Sequence, residues 1–241
     1  MNSNDFFFDV ARGARSGYTP IHAFGNNADV DAAEDVGAGA FVFSAVAASL
    51  EIDSDSTDDD GAPVGTGART CLVEGVDADW VYKSQTVTMN GTTAVALTGT
   101  WLRVNKVTVA TAGSTGSNVG TVVVRVVAGA TWATVPPTQG ESDGAYYSVP
   151  AGYRLLVTSV QASVSSAGTI TVGLSASENG VAKSKIPFVF ALGSSPFIRQ
   201  LDVPLAFGGR TDVALRVSAV SAGNQVVSGG FIGVLLSAAA V

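Results

Sequence analysis

Short runs rich in Val, Thr, Ser and Ala, cut at close intervals by Gly- and Asn-bearing turn signals, recur from Gly37 onward. β-Branched residues fit the pleated, half-buried surface of a sheet, and they lose side-chain freedom in a helix. Helix-period patterning is nearly absent. The chain is therefore read as all-β, built from two β-sandwich or jelly-roll-like domains preceded by an extended N-terminal arm.

Three spans follow from the pattern. Residues 1–35 show no sustained period and read as the arm. Residues 36–135 read as a β-sandwich domain, and residues 140–241 as a β-sandwich or jelly-roll domain. The paired prolines of Val135-Pro136-Pro137-Thr138-Gln139-Gly140 mark the linker between them, because proline cannot donate to a sheet ladder. With 241 residues, 46% of them hydrophobic, there is material for a sizeable core. Mean hydropathy is +0.34, yet no apolar run approaches the length of a membrane helix. The start, Met1-Asn2-Ser3-Asn4-Asp5, lacks the pattern of a secretory signal, so assembly in a cytoplasm is expected.

Within the first β span, Asn90-Gly91 between Gln85–Met89 and Thr92–Leu97 is the strongest hairpin signal. That hairpin would set Val87 opposite Ala94 and Thr88 opposite Thr93. The same residues spell a glycosylation acceptor, Asn90-Gly91-Thr92, but the turn reading is preferred without a secretory signal. Apolar parity shifts near Asn105-Lys106, which predicts a bulge. The Val-rich run Val119 to Val127 predicts a strand covered on both faces. In the second span, strands are expected at Ile170–Leu174, Phe188–Leu192, Phe197–Val203, Val213–Val217 and Phe231–Leu236. Turns separate them at Ser166-Ala167-Gly168, Glu178-Asn179-Gly180, Phe207-Gly208-Gly209 and Ala222-Gly223-Asn224.

The residues of catalysis are scarce. One His (His22), one Cys (Cys71) and 14% charged residues leave little for acid–base or nucleophilic chemistry. No Gly-x-Ser-x-Gly elbow surrounds a serine. Cys71 sits among strand residues and reads as a buried, inert thiol. Glu74, Asp77 and Asp79 beside Trp80 imitate a sugar site but read better as a polar turn. Gly65-Thr66-Gly67-Ala68-Arg69 lacks the lysine of a phosphate loop. Catalytic residues are therefore none, and no cofactor is expected. The acidic run Glu51 to Asp60 raises Ca²⁺ at Asp53, Asp55 and Asp59, yet Asp58 replaces the turn glycine and Val64 the closing glutamate. A solvated acidic loop is the preferred reading. Trp80, Trp101 and Trp132 could stack on sugars, though core or interface positions are the commoner use. The net charge of −7, with basic residues scattered singly, argues against nucleic acid as the main partner. Phe6-Phe7-Phe8 is the candidate anchor, and its alternative role is to cover an edge of the chain's own core.

Several segments carry a resemblance. They are Gly65-Thr66-Gly67-Ala68-Arg69-Thr70, Glu74-Gly75-Val76-Asp77-Ala78-Asp79, Thr86-Val87-Thr88-Met89-Asn90-Gly91-Thr92, Leu102-Arg103-Val104-Asn105 and Thr111-Ala112-Gly113-Ser114. With Asp9-Val10-Ala11-Arg12-Gly13, His22-Ala23-Phe24-Gly25-Asn26-Asn27, Val149-Pro150-Ala151-Gly152 and Pro204-Leu205-Ala206-Phe207, the chain resembles β-rich virion structural proteins of tailed bacteriophages. The resemblance implies a non-enzymatic particle component of the capsid decoration or cement kind, with a neck, head-fibre or tail component, able to bind host glycans, as the alternative. It implies the major capsid protein or other virion proteins as partners, a homo-oligomer with a trimer favoured, and a place in the virion. Neither nucleic acid nor membrane is an implied partner.

Overall fold

The computed structural model describes residues 3–165, 168–178, 181–192 and 196–238. The turn positions expected at Ser166, Ala167, Asn179 and Gly180 lie outside them. Every regular element of the described chain but one helix is a strand, and the chain forms two compact units. Unit 1 comprises Met1–Val36 and Ala145–Val241, and unit 2 comprises Gly37–Gly144. Unit 2 is thus inserted between an early strand and the rest of unit 1.

In unit 1 the elements are α1 (Ser3–Ala11), β1 (Tyr18–Val30) and β2 (Glu34–Asp35) before the insertion. After it come β10 (Tyr146–Val149), β11 (Tyr153–Val164), β12 (Gly168–Glu178), β13 (Val181–Leu192), β14 (Phe197–Phe207), β15 (Thr211–Val220) and β16 (Gln225–Ser237). One sheet runs β1-β16-β11-β14, and the other β10-β15-β12-β13, with β2 continuing the β10 edge along β15. The antiparallel pairs β1–β16, β10–β15, β11–β14 and β12–β13 are nested one inside the next. First pairs with last, second with seventh, third with sixth and fourth with fifth. That is jelly-roll connectivity.

Alternation sets which side of each strand is buried. On β1, Ile21, Ala23 and Gly25 are buried while His22 and Phe24 are exposed. Across the ladder, Ala23 pairs with Phe231 and Phe231 with Val160, so one buried row crosses three strands. From the other sheet, Ile170, Val172, Leu174, Leu215 and Val217 are buried. A Cβ on Gly229 of β16 would stand 2.9 Å from the Leu215 side chain of β15, which places the two inner faces against each other.

Unit 2 holds β3 (Ala48–Ser54), β4 (Ala68–Val76), β5 (Tyr82–Thr88), β6 (Val95–Trp101), β7 (Arg103–Ala112), β8 (Val122–Val126) and β9 (Thr131–Val135). Its sheets are β6-β3-β8-β9 and β5-β4-β7. Leu50, Ile52, Trp101, Val124 and Trp132 from the first meet Cys71, Val73, Val87 and Val107 from the second in one core.

Several expectations need correction. Residues 18–30 are not a free arm; they form the first jelly-roll strand, because their alternating Ile21, Ala23 and Gly25 complete the β16 ladder. Residues 3–11 are helical. The units change at Val36/Gly37 and Gly144/Ala145, not at the prolines. The segment around Pro136 is tied into unit 2, its carbonyl accepting Asn118 Nδ2 at 2.8 Å and Asn118 O accepting Thr138 N at 3.1 Å. Asn90-Gly91 does turn, with Gly91 at φ 56° and Thr93 N bonded to Asn90 O, but it joins different sheets. Val87 therefore pairs with Cys71 and Thr88 with Thr70. Burying both Val87 and Leu97 from opposite layers outweighs the local hairpin. The strand at Val122–Val126 is covered on one face, with Val122 and Val124 buried and Val123 half-buried. The predicted bulge is present: Glu74 pairs with Lys106 and Gly75 with Val104, leaving Asn105 over.

Because unit 2 is one continuous segment with its own core, residues 37–144 expressed alone should unfold cooperatively in urea. Residues 31–241, lacking β1, should lose the unit 1 transition while keeping that of unit 2. Circular dichroism with two-transition fitting checks both.

Candidate functional site

The helix α1 divides the three phenylalanines. Residues four apart lie on one helical face, so Phe6 and Val10 point together. Phe6 makes an edge-on contact with Tyr18 of β1, ring centroids 5.4 Å apart, and the Arg15 guanidinium lies 5.4 Å from its centroid. Val10 is buried. Phe7 meets the Phe6 ring edge-on, centroids 5.4 Å apart, yet is 47% exposed, and Phe8 is 71% exposed. A Schellman turn ends the helix: Ala14 N bonds Asp9 O, Gly13 N bonds Val10 O, and Gly13 takes φ 71°. Asp9 also binds Arg12 at 2.6 Å and Arg15 at 3.4 Å. The helix is thereby held on the jelly roll with two large apolar side chains presented outward.

The acidic run does not gather into a cation cage. Asp53 pairs with Arg125, which also reaches Glu51 at 2.9 Å. Asp55 Oδ1 accepts Thr121 N at 2.8 Å. Asp59 is fully buried and accepts four donors: Ala68 N and Val119 N on Oδ1, Gly120 N and the Ser54 hydroxyl on Oδ2, at 2.6–2.9 Å. A Cβ on Gly67 would stand 2.0 Å from Asp59 Oδ1, so the close approach needs glycine there. No group of three or more His, Cys, Asp or Glu side chains suited to a metal occurs among the described residues. Asp59 is buried, not solvated as expected of the run, because its carboxylate organises the surrounding loops.

Around Trp80 the polar turn has a specific build. Asp77 Oδ1 accepts both Asp79 N and Val81 N at 2.9 Å, and Trp80 is held at φ 64°, a left-handed conformation rarely adopted by a bulky residue. Its ring lies over the buried Arg103 guanidinium at 5.0 Å, with Phe43 at 5.6 Å. Arg103 donates to Leu102 O and Ser44 O. Tyr82, 43% exposed, donates to Glu74 at 2.6 Å. Trp101 and Trp132 are core, and the Lys83 ammonium stands 4.4 Å from the Trp101 ring centroid. Glu74 and Asp77 are thus occupied in fixing a turn. His22 is exposed on β1.

Cys71 is buried, and burial, with the nearby Asp59 charge as a second cause, pushes its thiol up to about 12. Sequence reasoning missed Arg103 and the Asp59 hub. Each depends in part on backbone groups far away in the chain, Ser44 O for Arg103 and the amides of Val119 and Gly120 for Asp59, which carry no residue-type signal.

No family model matches this chain, and no curated protein matches it. Among solved structures, it is similar to an Asp-to-Asn mutant VP2 protein of infectious bursal disease virus in derived T=1 particles. Identity is 11% and the TM-score 0.27, over 88% of this chain and 57% of that one. A structure of infectious bursal disease virus Gt strain gives 12% identity and a TM-score of 0.24, over 87% and 58%. The chain spans a little over half the length of those chains. At these TM-scores the backbones do not superpose as one fold.

Asp59→Ala should strand four donors and cost about 3 kcal/mol or more in urea unfolding; an effect under about 1 kcal/mol would contradict the hub. EDTA should leave the Tm unchanged, since protein donors already occupy Asp53, Asp55 and Asp59. At about pH 8 a maleimide should label Cys71 only after unfolding.

Proposed function

We propose that this chain is a non-enzymatic virion structural protein, of the capsid decoration or cement kind found on tailed bacteriophages. It would act in the particle as a homo-oligomer, with a trimer favoured. The observation that carries this reading is the pair Phe7 and Phe8. A helix pinned by Phe6, Val10 and the Asp9–Arg pairs displays two large apolar side chains to solvent. Folding within one chain gains nothing from that exposure, whereas docking on another protein buries it. The jelly-roll connectivity suits the reading, since such folds serve as shell and surface domains, but the fold alone defines no function. Binding only the assembled shell would stabilise that shell by mass action.

A second reading, a neck, head-fibre or tail component with a glycan site, is favoured by the turn that holds Trp80 at positive φ beside the exposed Tyr82. Loss of glycan-array binding in Trp80→Ala would support it.

Quantitative mass spectrometry of salt-washed particles should give copy numbers in simple ratio to the major capsid protein. A few tens of copies per particle would move the chain to a neck or tail. Deleting Met1–Phe8, or substituting Phe7→Ser with Phe8→Ser, should weaken attachment at least about tenfold with both urea transitions retained. Undiminished attachment would remove the anchoring role.

A further inference from the structure

The two units divide the charge of the chain unequally. Unit 1 carries nine acidic and eight basic residues, a net −1, whereas unit 2 carries eleven acidic and five basic, a net −6. The five cations of unit 2 are all engaged within it. Arg125 binds Glu51 and Asp53, and Lys106 binds Glu141. Arg69 and Lys83 donate to carbonyls, of Gly65 and of Thr98 and Thr100, and Arg103 is buried. Asp58 is exposed, and its carboxylate has no partner among the described residues.

Unit 1 shows the opposite arrangement at one end. Tyr18, Leu236 and Arg154 are register partners across β1, β16 and β11, so they share the outer face of that sheet. Phe6 packs on Tyr18 and Arg15 on Phe6, which brings α1 and its Arg12 to the same place. Beside this row lies a cleft of about 470 Å³ lined by Tyr153, Arg154, Gly209, Arg210, Leu236 and Ser237, among others. Backbone bonds brace it: Arg210 N to Val149 O at 2.9 Å and Ala238 N to Gly152 O at 2.8 Å. Arg154 and Arg210 are exposed, and neither guanidinium has an ion pair or hydrogen bond among the described residues. Arg154 and Arg210, distant in sequence, thus line one cleft at this end of the jelly roll, while Asp9 is paired to Arg12 and Arg15.

We propose that the Arg154–Arg210 cleft receives carboxylates from the acidic unit 2 of a second copy, with Asp58 as the first candidate. Guanidinium forks match carboxylates in geometry, and charge complementarity is the argument for the occupant. Such a contact is head-to-tail, joining different faces of the two copies, and so builds rings or open chains. It stands apart from the shell-docking reading, which rests on Phe7 and Phe8.

Sedimentation velocity of the full chain between about 50 and 500 mM NaCl tests it, since screening reaches below ~5 Å at the upper end. The weight-average mass should rise with concentration at low salt and fall to a single chain at high salt. Arg154→Glu with Arg210→Glu should weaken association about tenfold or more, and adding Asp58→Lys should restore it. Near-ultraviolet circular dichroism verifies folding, and the salt series on the unaltered chain decides the matter if a variant misfolds. A single-chain mass at about 100 μM in low salt would overturn the proposal. So would association indifferent to both salt and charge reversal, or charge-reversed chains that associate normally. Virion copy number is independent of every one of these outcomes.

Discussion

The antiparallel ladder between β1 and β16 is the constraint on which the fold of unit 1 depends. It joins strands about two hundred residues apart, Ile21 to Gly233 and Ala23 to Phe231, and it sets the outermost pair of the jelly roll. Every later pair nests inside it, so the inner rows of Val160, Ala162 and Phe231 are buried in one register only. A slip of one residue would turn Ile21 and Ala23 to solvent and His22 and Phe24 to the core. The pairing is costly to reach because loop-closure entropy must be met before distant contacts repay it. Unit 2 reduces that difficulty if it folds first, since its seven strands pair within about a hundred residues.

Unit 2 depends in turn on polar order as much as on its core. The Asp59 carboxylate draws in amides from residues 68, 119 and 120 and the Ser54 hydroxyl, so loops from three parts of the chain converge on one buried anion. A buried charge is tolerated only when its lone pairs are satisfied in this way. The same charge helps hold Cys71 in its protonated, unreactive form. Asn118 plays a related part for neutral groups, donating to the carbonyls of Gly120 and Pro136 and accepting from Gly140 N. These bonds draw the proline-bearing segment into the unit.

What the molecule presents outward separates by chemistry. Phe7 and Phe8 offer apolar area, Arg154 and Arg210 offer exposed positive charge, and unit 2 offers net negative charge. Apolar area supplies affinity, while charge governs orientation and rate.

Strand content, the bulge near Asn105 and the burial of Cys71 were legible in the sequence, whereas it left Trp80, Trp101 and Trp132 open between core and interface. The legible features follow from neighbours within a few residues, through side-chain alternation, parity shifts and turn chemistry. Which strand each one pairs with was not legible. Alternation states which side chains face inward but not against which partner, so β1 read as an arm and Asn90-Gly91 as a hairpin. Phe6-Phe7-Phe8 read as one apolar run, and only the helix and Tyr18 separate the ring held against β1 from the two more exposed ones. The Asp59 hub and the meeting of Arg154 and Arg210 in one cleft were decided by tertiary structure alone. Their partners are backbone groups and strand registers that distant segments supply only once the ladders have closed.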